Sequence, residues 1–461
     1  MPYSSRRARV AAALGANAIA IVPTAPVQQR NRDCDFPYRH DSYFYYLTGF
    51  TEPEAWLVLR TDASGKLHTS LFCQPKDLER EIWDGYRLGP EAAPAALGVD
   101  AAYSTDELDA RLPQLMENTQ LLSYPFATHQ GLAARMEAWL GKVRARVRYG
   151  VVFPARHVDL CSVLDEMRLI KDAHELDIIR RACNITANAH KRAMQTCAAM
   201  LRAGGDVREY HLEAELQHTF RQNGSQFAAY GNIVAAGGNA CVLHYQAGNT
   251  AIQSGDLVLI DAGCELDGYA SDITRTFPAN GTFTTPQRAI YDLVLAAEEA
   301  GIAATRAGAR FTDIHDATVR VITQGLLDLG LLDKNAGSLD EHIAQRSYFR
   351  FYMHRAGHWM GMDVHDCGDY VEPAEMGQTS VRKDALSGED IINRPSRILQ
   401  PGMVFTIEPG IYIRPADDVL EAYWNIGIRI EDDVVVTQEG CEILTRDVPV
   451  AADAIEALMR A

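Results

Sequence analysis

Four acidic residues sit at the ends of aliphatic runs, and this placement restricts the fold more than any other feature of the chain. In Leu257-Val258-Leu259-Ile260-Asp261 an Asp closes four consecutive aliphatics, and in Asp272-Ile273-Thr274-Arg275-Thr276 another opens the next run. Further on, Met403-Val404-Phe405-Thr406-Ile407-Glu408 and Ile426-Gly427-Ile428-Arg429-Ile430-Glu431 each end in a Glu. Burying an ionised carboxylate is costly unless it is paired or binds a cation. One such acid is explained by loop capping or an Arg partner. Four of them, on apolar strands, point to bound cations. The following Asp432 and Asp433 read as ordinary solvated charges and are set aside.

The first pair has a readable register. Glu265-Leu266-Asp267-Gly268 is a turn signal between two strands. With Leu266-Asp267 as the two turn residues, Asp261 and Asp272 face each other directly across an antiparallel pair. Opposed Cβ atoms there are about 4.5–5.5 Å apart. Two like charges at that separation repel and lose water, so a cation between them is the simplest compensation.

Histidines cluster between the two acidic pairs, in His354-Arg355-Ala356-Gly357-His358 and Asp363-Val364-His365-Asp366. His354 and His358 have the spacing of a zincin helix, but Arg355 stands where that motif needs its Glu, and Gly357 weakens a helix. The zincin reading is rejected. One His completing a carboxylate-rich site fits better. Four carboxylates balance two divalent ions. Oxygen-rich ligands favour Mn²⁺ first, with Zn²⁺ or Co²⁺ also compatible. Two such ions about 3.5–4 Å apart activate a shared water and polarise a carbonyl.

The chain has 461 residues, 47% of them hydrophobic and 23% charged, enough for a large core and two or three domains. With 44 Lys+Arg against 61 Asp+Glu, the formal charge is −17, which argues against nucleic-acid and anionic-membrane partners. Nine scattered cysteines without a Cys-x-x-Cys fit a reducing cytoplasm and no disulfide framework. No apolar run approaches the roughly 18 residues of a membrane span. Arg6-Arg7-Ala8-Arg9 and the apolar residues after it resemble an export signal superficially, but Gly15 and Asn17 interrupt them. A basic helix end followed by a strand at Ala18–Val22 explains the segment.

Residues up to about 165 read as mixed α/β, with strands at Ala18–Val22, Ala55–Leu59 and Leu67–Phe72 and helices near Thr105–Leu112 and Gly131–Val143. Asp172-Ala173-His174-Glu175 is a capping box that opens a long helix, so the domain boundary lies between 160 and 175. The later strands are Asp256–Cys264, Tyr269–Phe277, Met403–Tyr412 and Ile426–Val436. Asp369–Asn393 has no period and reads as a long loop or lid.

These segments resemble the M24 metallopeptidases, the pita-bread family, in their bacterial Xaa-Pro aminopeptidase (aminopeptidase P) branch. The likeness runs through NACVLHY at 239–245, LVLIDAGCELDGYASDITRTFP at 257–278, MHRAGHWMGMDV at 353–364, MVFTIEPGI at 403–411 and GIRIEDD at 427–433. It extends to FPYRHDSYFYYLTGF from 36, TEPEAWLVL to 59, and EIWDGYRLG at 81–89, covering nearly the whole chain. The resemblance implies an α/β (α+β) chain of two domains. Residues 1–168 would be a smaller mixed α/β domain that limits access and supports oligomers. Residues 169–461 would be a catalytic pita-bread domain with a curved antiparallel sheet covered by helices.

It also implies metal ligands Asp261, Asp272, His358, Glu408 and Glu431, with Asp272 and Glu431 bridging two ions, Asp261 on one, and His358 and Glu408 on the other. Glu408 would be the general base for a metal-bridging hydroxide. His365 would face the scissile carbonyl, His244 and His354 would line the substrate pocket, and Arg429 would hold a metal-binding carboxylate from behind. Tyr43, Tyr45 and Trp83 would line an entrance. The implied substrates are peptides with proline second, cleaved at the Xaa-Pro bond, and the implied assembly is a homodimer or homotetramer. Several alternatives share the scaffold, among them a methionine aminopeptidase, against which residues 1–165 count because that enzyme lacks a large first domain. A prolidase acting only on dipeptides would need a cation such as Arg394 or Arg397 for the free carboxylate. A metal-free creatinase-like enzyme or a binding module would have lost ligands that are present here.

Overall fold

The computed structural model describes residues 2–460. They divide into two compact units, Met1–Met167 and Arg168–Ala461.

In the first unit, a six-stranded mixed sheet runs in the order Ala101–Ser104, Leu67–Cys73, Trp56–Thr61, Ala18–Pro23, Leu121–Tyr124, Arg156–Asp159. Ala18–Pro23 lies at its centre and is buried along its whole length, as its continuous apolar run requires. The helices Leu108–Met116 and Leu132–Arg144 pack Leu112, Met116, Met136 and Trp139 against it. The basic start of the chain is a helix, Tyr3–Leu14, and Arg6 and Arg7 are buried in it. Arg7 donates to the Leu47 and Gly98 carbonyls. Those two arginines are structural. Tyr43 donates to Asp165, Tyr45 stacks on His40, and Trp83 is 83% exposed.

The second unit opens with the helix Ala173–Arg202. Asp172 caps it, accepting from the Glu175 N–H while Glu175 returns a bond to Asp172 N. The helices Glu209–Gln222, Thr285–Ala304 and Phe311–Asp328 complete the helical cover. Beneath them lie short antiparallel ladders. Leu257–Ala262 pairs with Ile273–Pro278 on one side and Ile233–Ala236 on the other. Val404–Ile407 pairs with Asp432–Val436, and Gly410–Ile413 with Ile426–Arg429. The two later strands expected from sequence, Met403–Tyr412 and Ile426–Val436, are thus broken at Glu408-Pro409 and at Ile430-Glu431, and Glu408 and Glu431 occupy the breaks. A bridge between Thr274 and Glu431 joins the two hairpin systems. The mixed α/β class expected from sequence holds.

Two expectations need correction. The turn residues are Asp267 and Gly268, with φ of 50° and 79°, rather than Leu266 and Asp267. Asp-Gly suits the two left-handed positions of a type I′ hairpin, which Leu does not. The register therefore shifts by two, and Asp261 pairs with Thr274. Asp261 and Asp272 stay on one face but lie diagonally, not directly opposed. In addition, the stretch 369–393 contains a two-stranded hairpin, Ser380–Lys383 with Asp390–Asn393. Both of its faces are largely exposed, so no burial pattern marked it in the sequence.

Candidate metal centre

The acids converge on one hollow of about 550 Å³, lined by Asp261, Asp272, His358, Glu408 and Glu431. Ligand atoms of Asp272, His358 and Glu431 all lie within 4.8 Å of one another. His244, His354, His365 and Arg429 line the same hollow. The nine residues that the resemblance implies as ligands and catalytic groups therefore line one hollow.

Local structure aims each group. Glu408 N–H donates to Ala356 O and Thr406 N–H to His358 O, so the His-bearing segment runs beside Val404–Ile407 in extended backbone, not as a helix. Gly357 permits this approach, since a Cβ there would stand 1.9 Å from Thr406 O. His358 Nδ1 is 3.1 Å from the Trp359 carbonyl. A carbonyl only accepts, so Nδ1 carries a proton and Nε2 faces the cluster, where it can offer a lone pair to a cation that displaces its own proton. Nε2 lies 3.5 Å from Asp272 Oδ2 and 3.7 Å from Glu408 Oε1. The His365 ring meets His358 edge-on at 4.2 Å.

A second set of contacts holds the acids from behind. Arg429 donates to Asp261 Oδ2 at 2.5 Å, to Thr274 Oγ1 at 3.1 Å and to the Tyr412 hydroxyl at 2.9 Å. Tyr412 in turn donates to His354 Nε2 at 2.9 Å, because His354 Nδ1 is committed to the Arg355 carbonyl. Thr274 donates to Glu431 at 2.6 Å. Tyr230, which sequence reading missed, places one hydroxyl against both Asp261 and Asp272. A lone tyrosine without periodic neighbours left no signal. Asp432 and Asp433, read as solvated, are fully buried. Asp432 pairs with Arg275 at 2.6 Å, and Asp433 accepts from Asp272 N–H at 2.9 Å. Asp433 thereby anchors the backbone of Asp272, and Arg275, held by Asp432, donates to the Glu431 carbonyl. Arg394 and Arg397 do not line the hollow, and Arg397 lies 3.9 Å from Glu372.

The donor set fits divalent cations. Burial, reinforced by the neighbouring carboxylates, pushes Glu431 well above the usual range, and burial raises Asp272 and lifts Glu408 to about 7. Burial disfavours the His358 imidazolium, yet the Asp272 hydrogen bond and Glu408 outweigh it and push the ring up to about 9. One phenol proton cannot serve two carboxylates. The cluster holds more negative charge than its protein neighbours compensate, and hard cations with oxygen and imidazole ligands meet that deficit. Burial lowers His365 and takes His354 down to about 3, so both rings are neutral near pH 7.

The chain belongs to metallopeptidase family M24, whose family model matches residues 177–438. It is accordingly a hydrolase of peptide bonds that uses divalent metal. A second model, for the aminopeptidase P N-terminal domain, matches residues 3–123. The chain is 42% identical to the Xaa-Pro aminopeptidase of Escherichia coli K12 over 99% of its own length and 97% of that protein's. It superposes on the Pseudomonas aeruginosa aminopeptidase PepP structure with a TM-score of 0.90 at 47% identity, covering 99% of this chain and 97% of that one. Zn-substituted E. coli aminopeptidase P in complex with product gives the same TM-score at 41% identity and the same coverage. The architecture is thus the two-domain pita-bread fold. No helix among the described residues is long and apolar enough to cross a membrane.

Proposed function

We propose that the protein is an Xaa-Pro aminopeptidase that removes the N-terminal residue from peptides with proline in second position, using two divalent ions. The observation that carries this reading is the convergence of four strand-end carboxylates and His358 on one hollow, together with the 42% identity to an Xaa-Pro aminopeptidase. Asp261, Asp272, His358, Glu408 and Glu431 would hold the ions, with Asp272 and Glu431 shared between them. Mn²⁺ is the preferred occupant for so carboxylate-rich a set, with Zn²⁺ or Co²⁺ next. When bound, the ions would supply a water ionised near neutral pH and an electrophile for the carbonyl.

The side chains do the rest. Glu408 takes a proton from the attacking water and delivers it to the departing proline nitrogen. That nitrogen belongs to a tertiary amide without N–H, so the site selects ring shape rather than a donor. His365, neutral beside His358, donates to the oxygen of the scissile carbonyl as charge develops on it. His244 and His354 shape the substrate pocket, and Arg429 fixes Asp261. The homo-oligomeric state and the domain limits 1–168 and 169–461 belong to the same proposal, as does a cytoplasmic location.

The test compares Xaa-Pro-Yaa with Xaa-Ala-Yaa tripeptides, with chelator and with added Mn²⁺. Cleavage of the proline peptide alone, abolished by chelator and restored by Mn²⁺, is expected. Equal cleavage of both, or turnover indifferent to chelator, overturns the proposal. Cleavage of Xaa-Pro dipeptides but not tripeptides would make it a prolidase.

A further inference from the structure

Among the described residues two arginines line the hollow, Arg429 and Arg355. Arg429 pairs with Asp261, and elsewhere in the same unit Arg346 pairs with Asp384, Arg350 with Asp418 and Arg310 with Glu375. Arg355 differs. It is exposed on the wall of the hollow, and its side chain makes no hydrogen bond or ion pair among the described residues. In a chain with 61 acidic residues against 44 basic ones, an unmatched guanidinium at the site is unexpected. Its backbone is held at two successive carbonyls, its own by His354 Nδ1 and that of Ala356 by Glu408 N–H. The side chain therefore has a fixed root beside the reacting groups.

We infer that Arg355 is a specificity-determining residue that recognises a carboxylate on the substrate, downstream of the scissile bond. The inference rests on the Xaa-Pro reading. A peptide is a dipole, with an ammonium at the end that is cleaved and a carboxylate at the other. Under that reading the cleaved end lies at the metal-binding floor of the hollow, and the carboxylate is left to a cation on the wall, where Arg355 stands. Arg355 is three residues from His358, so their Cα atoms are at most about 11 Å apart. Two or three residues of extended peptide cover that span. The carboxylate is either the C-terminus of a short peptide or an acidic side chain shortly after the proline. A guanidinium receives either in the same fork geometry.

Two substrate pairs distinguish the sources: Xaa-Pro-Yaa as free acid or C-terminal amide, and Xaa-Pro-Glu-amide or Xaa-Pro-Gln-amide. The readout is the ratio of kcat/KM within each pair, for the native enzyme, Arg355→Met and Arg355→Glu. The native enzyme should favour the carboxylate by about fivefold in at least one pair, the size of a strong exposed ion pair. That ratio should shrink in high salt, fall to about one in Arg355→Met and drop below one in Arg355→Glu. A native ratio of one in both pairs, or a preference unchanged in both variants, overturns the inference while leaving Xaa-Pro cleavage standing. No turnover of any proline peptide by the native enzyme overturns the Xaa-Pro reading itself, and this inference with it.

Discussion

Arg429 Nη2 lies 2.5 Å from Asp261 Oδ2, although 168 positions separate the two residues. The pair ties the strand Ile426–Arg429 to the strand Leu257–Ala262, so each hairpin system orients an acid of the other. Arg429 is 4% exposed and Asp261 9%. Breaking such a pair by removing one partner leaves an uncompensated buried charge, at a cost of about 3–5 kcal/mol.

Arg429→Met should therefore cost more than packing. Asp261 would lose its orientation, and affinity for divalent metal should fall by about 10- to 100-fold, the usual effect of losing a group that holds a ligand. Metal titration followed by competition with a chromogenic chelator checks this. Unchanged affinity would show that Asp261 needs no support from behind.

Glu209 is fully buried and accepts four hydrogen bonds, from Ala236 N–H, Asn239 Nδ2, the Tyr245 hydroxyl and Gly248 N–H. These bonds fasten the irregular stretch 237–250 that carries His244. Glu209→Gln sets an amide N–H against donors, a mismatch of about 1–3 kcal/mol. KM should rise more than kcat falls, and amide hydrogen exchange across 237–250 should accelerate. Native exchange rates in the variant would contradict the assignment.

His190 is fully buried, with Nε2 on the Ala262 carbonyl and Nδ1 without a hydrogen-bond partner among the described residues. Burial lowers it from 6.5 to about 4. The unfolded state thus binds one more proton than the folded state between those values. The stability contributed by the neutral ring is complete above pH 6.5 and is lost as pH falls toward 4, at about 1.4 kcal/mol per unit. Urea midpoints measured across that window should drop less steeply for His190→Gln than for the native protein. Parallel curves would refute the assignment.

Gly357→Ala places a methyl 1.9 Å from the Thr406 carbonyl. Backbone must move, separating His358 from Glu408. A loss of at least about 1–3 kcal/mol in stability is expected, with a larger fall in metal-dependent turnover. Wild-type turnover by this variant would mean that the two segments need not touch.

Much of the site was legible because its chemistry breaks a simple pattern. Asp261, Asp272, Glu408 and Glu431 stand where apolar runs end, and the capping box at Asp172 marks the start of the long helix. Register was harder. Leu266-Asp267 and Asp267-Gly268 both look like turns, and only the positive φ at both Asp267 and Gly268 settles which pair turns. Buried polar partners were hardest. Nothing in the run Glu431-Asp432-Asp433 indicates that Arg275, Thr445 and the Asp272 N–H await the last two acids. Such partners come from distant strands, so local patterning carries no trace of them. Arg355 was visible only as the residue that spoils a zincin motif, and its position on the pocket wall needed the fold.

On the proposed reading, the converged carboxylates are neutralised by a pair of cations. Metal content of the purified protein, measured by mass spectrometry after dialysis against Mn²⁺, tests it directly alongside Asp272→Ala and Glu431→Ala. About two equivalents per native chain are expected, with loss of bound metal and of nearly all peptide cleavage in either variant. Full turnover by either variant, or a native protein that is active with no stoichiometric metal, would contradict the claim.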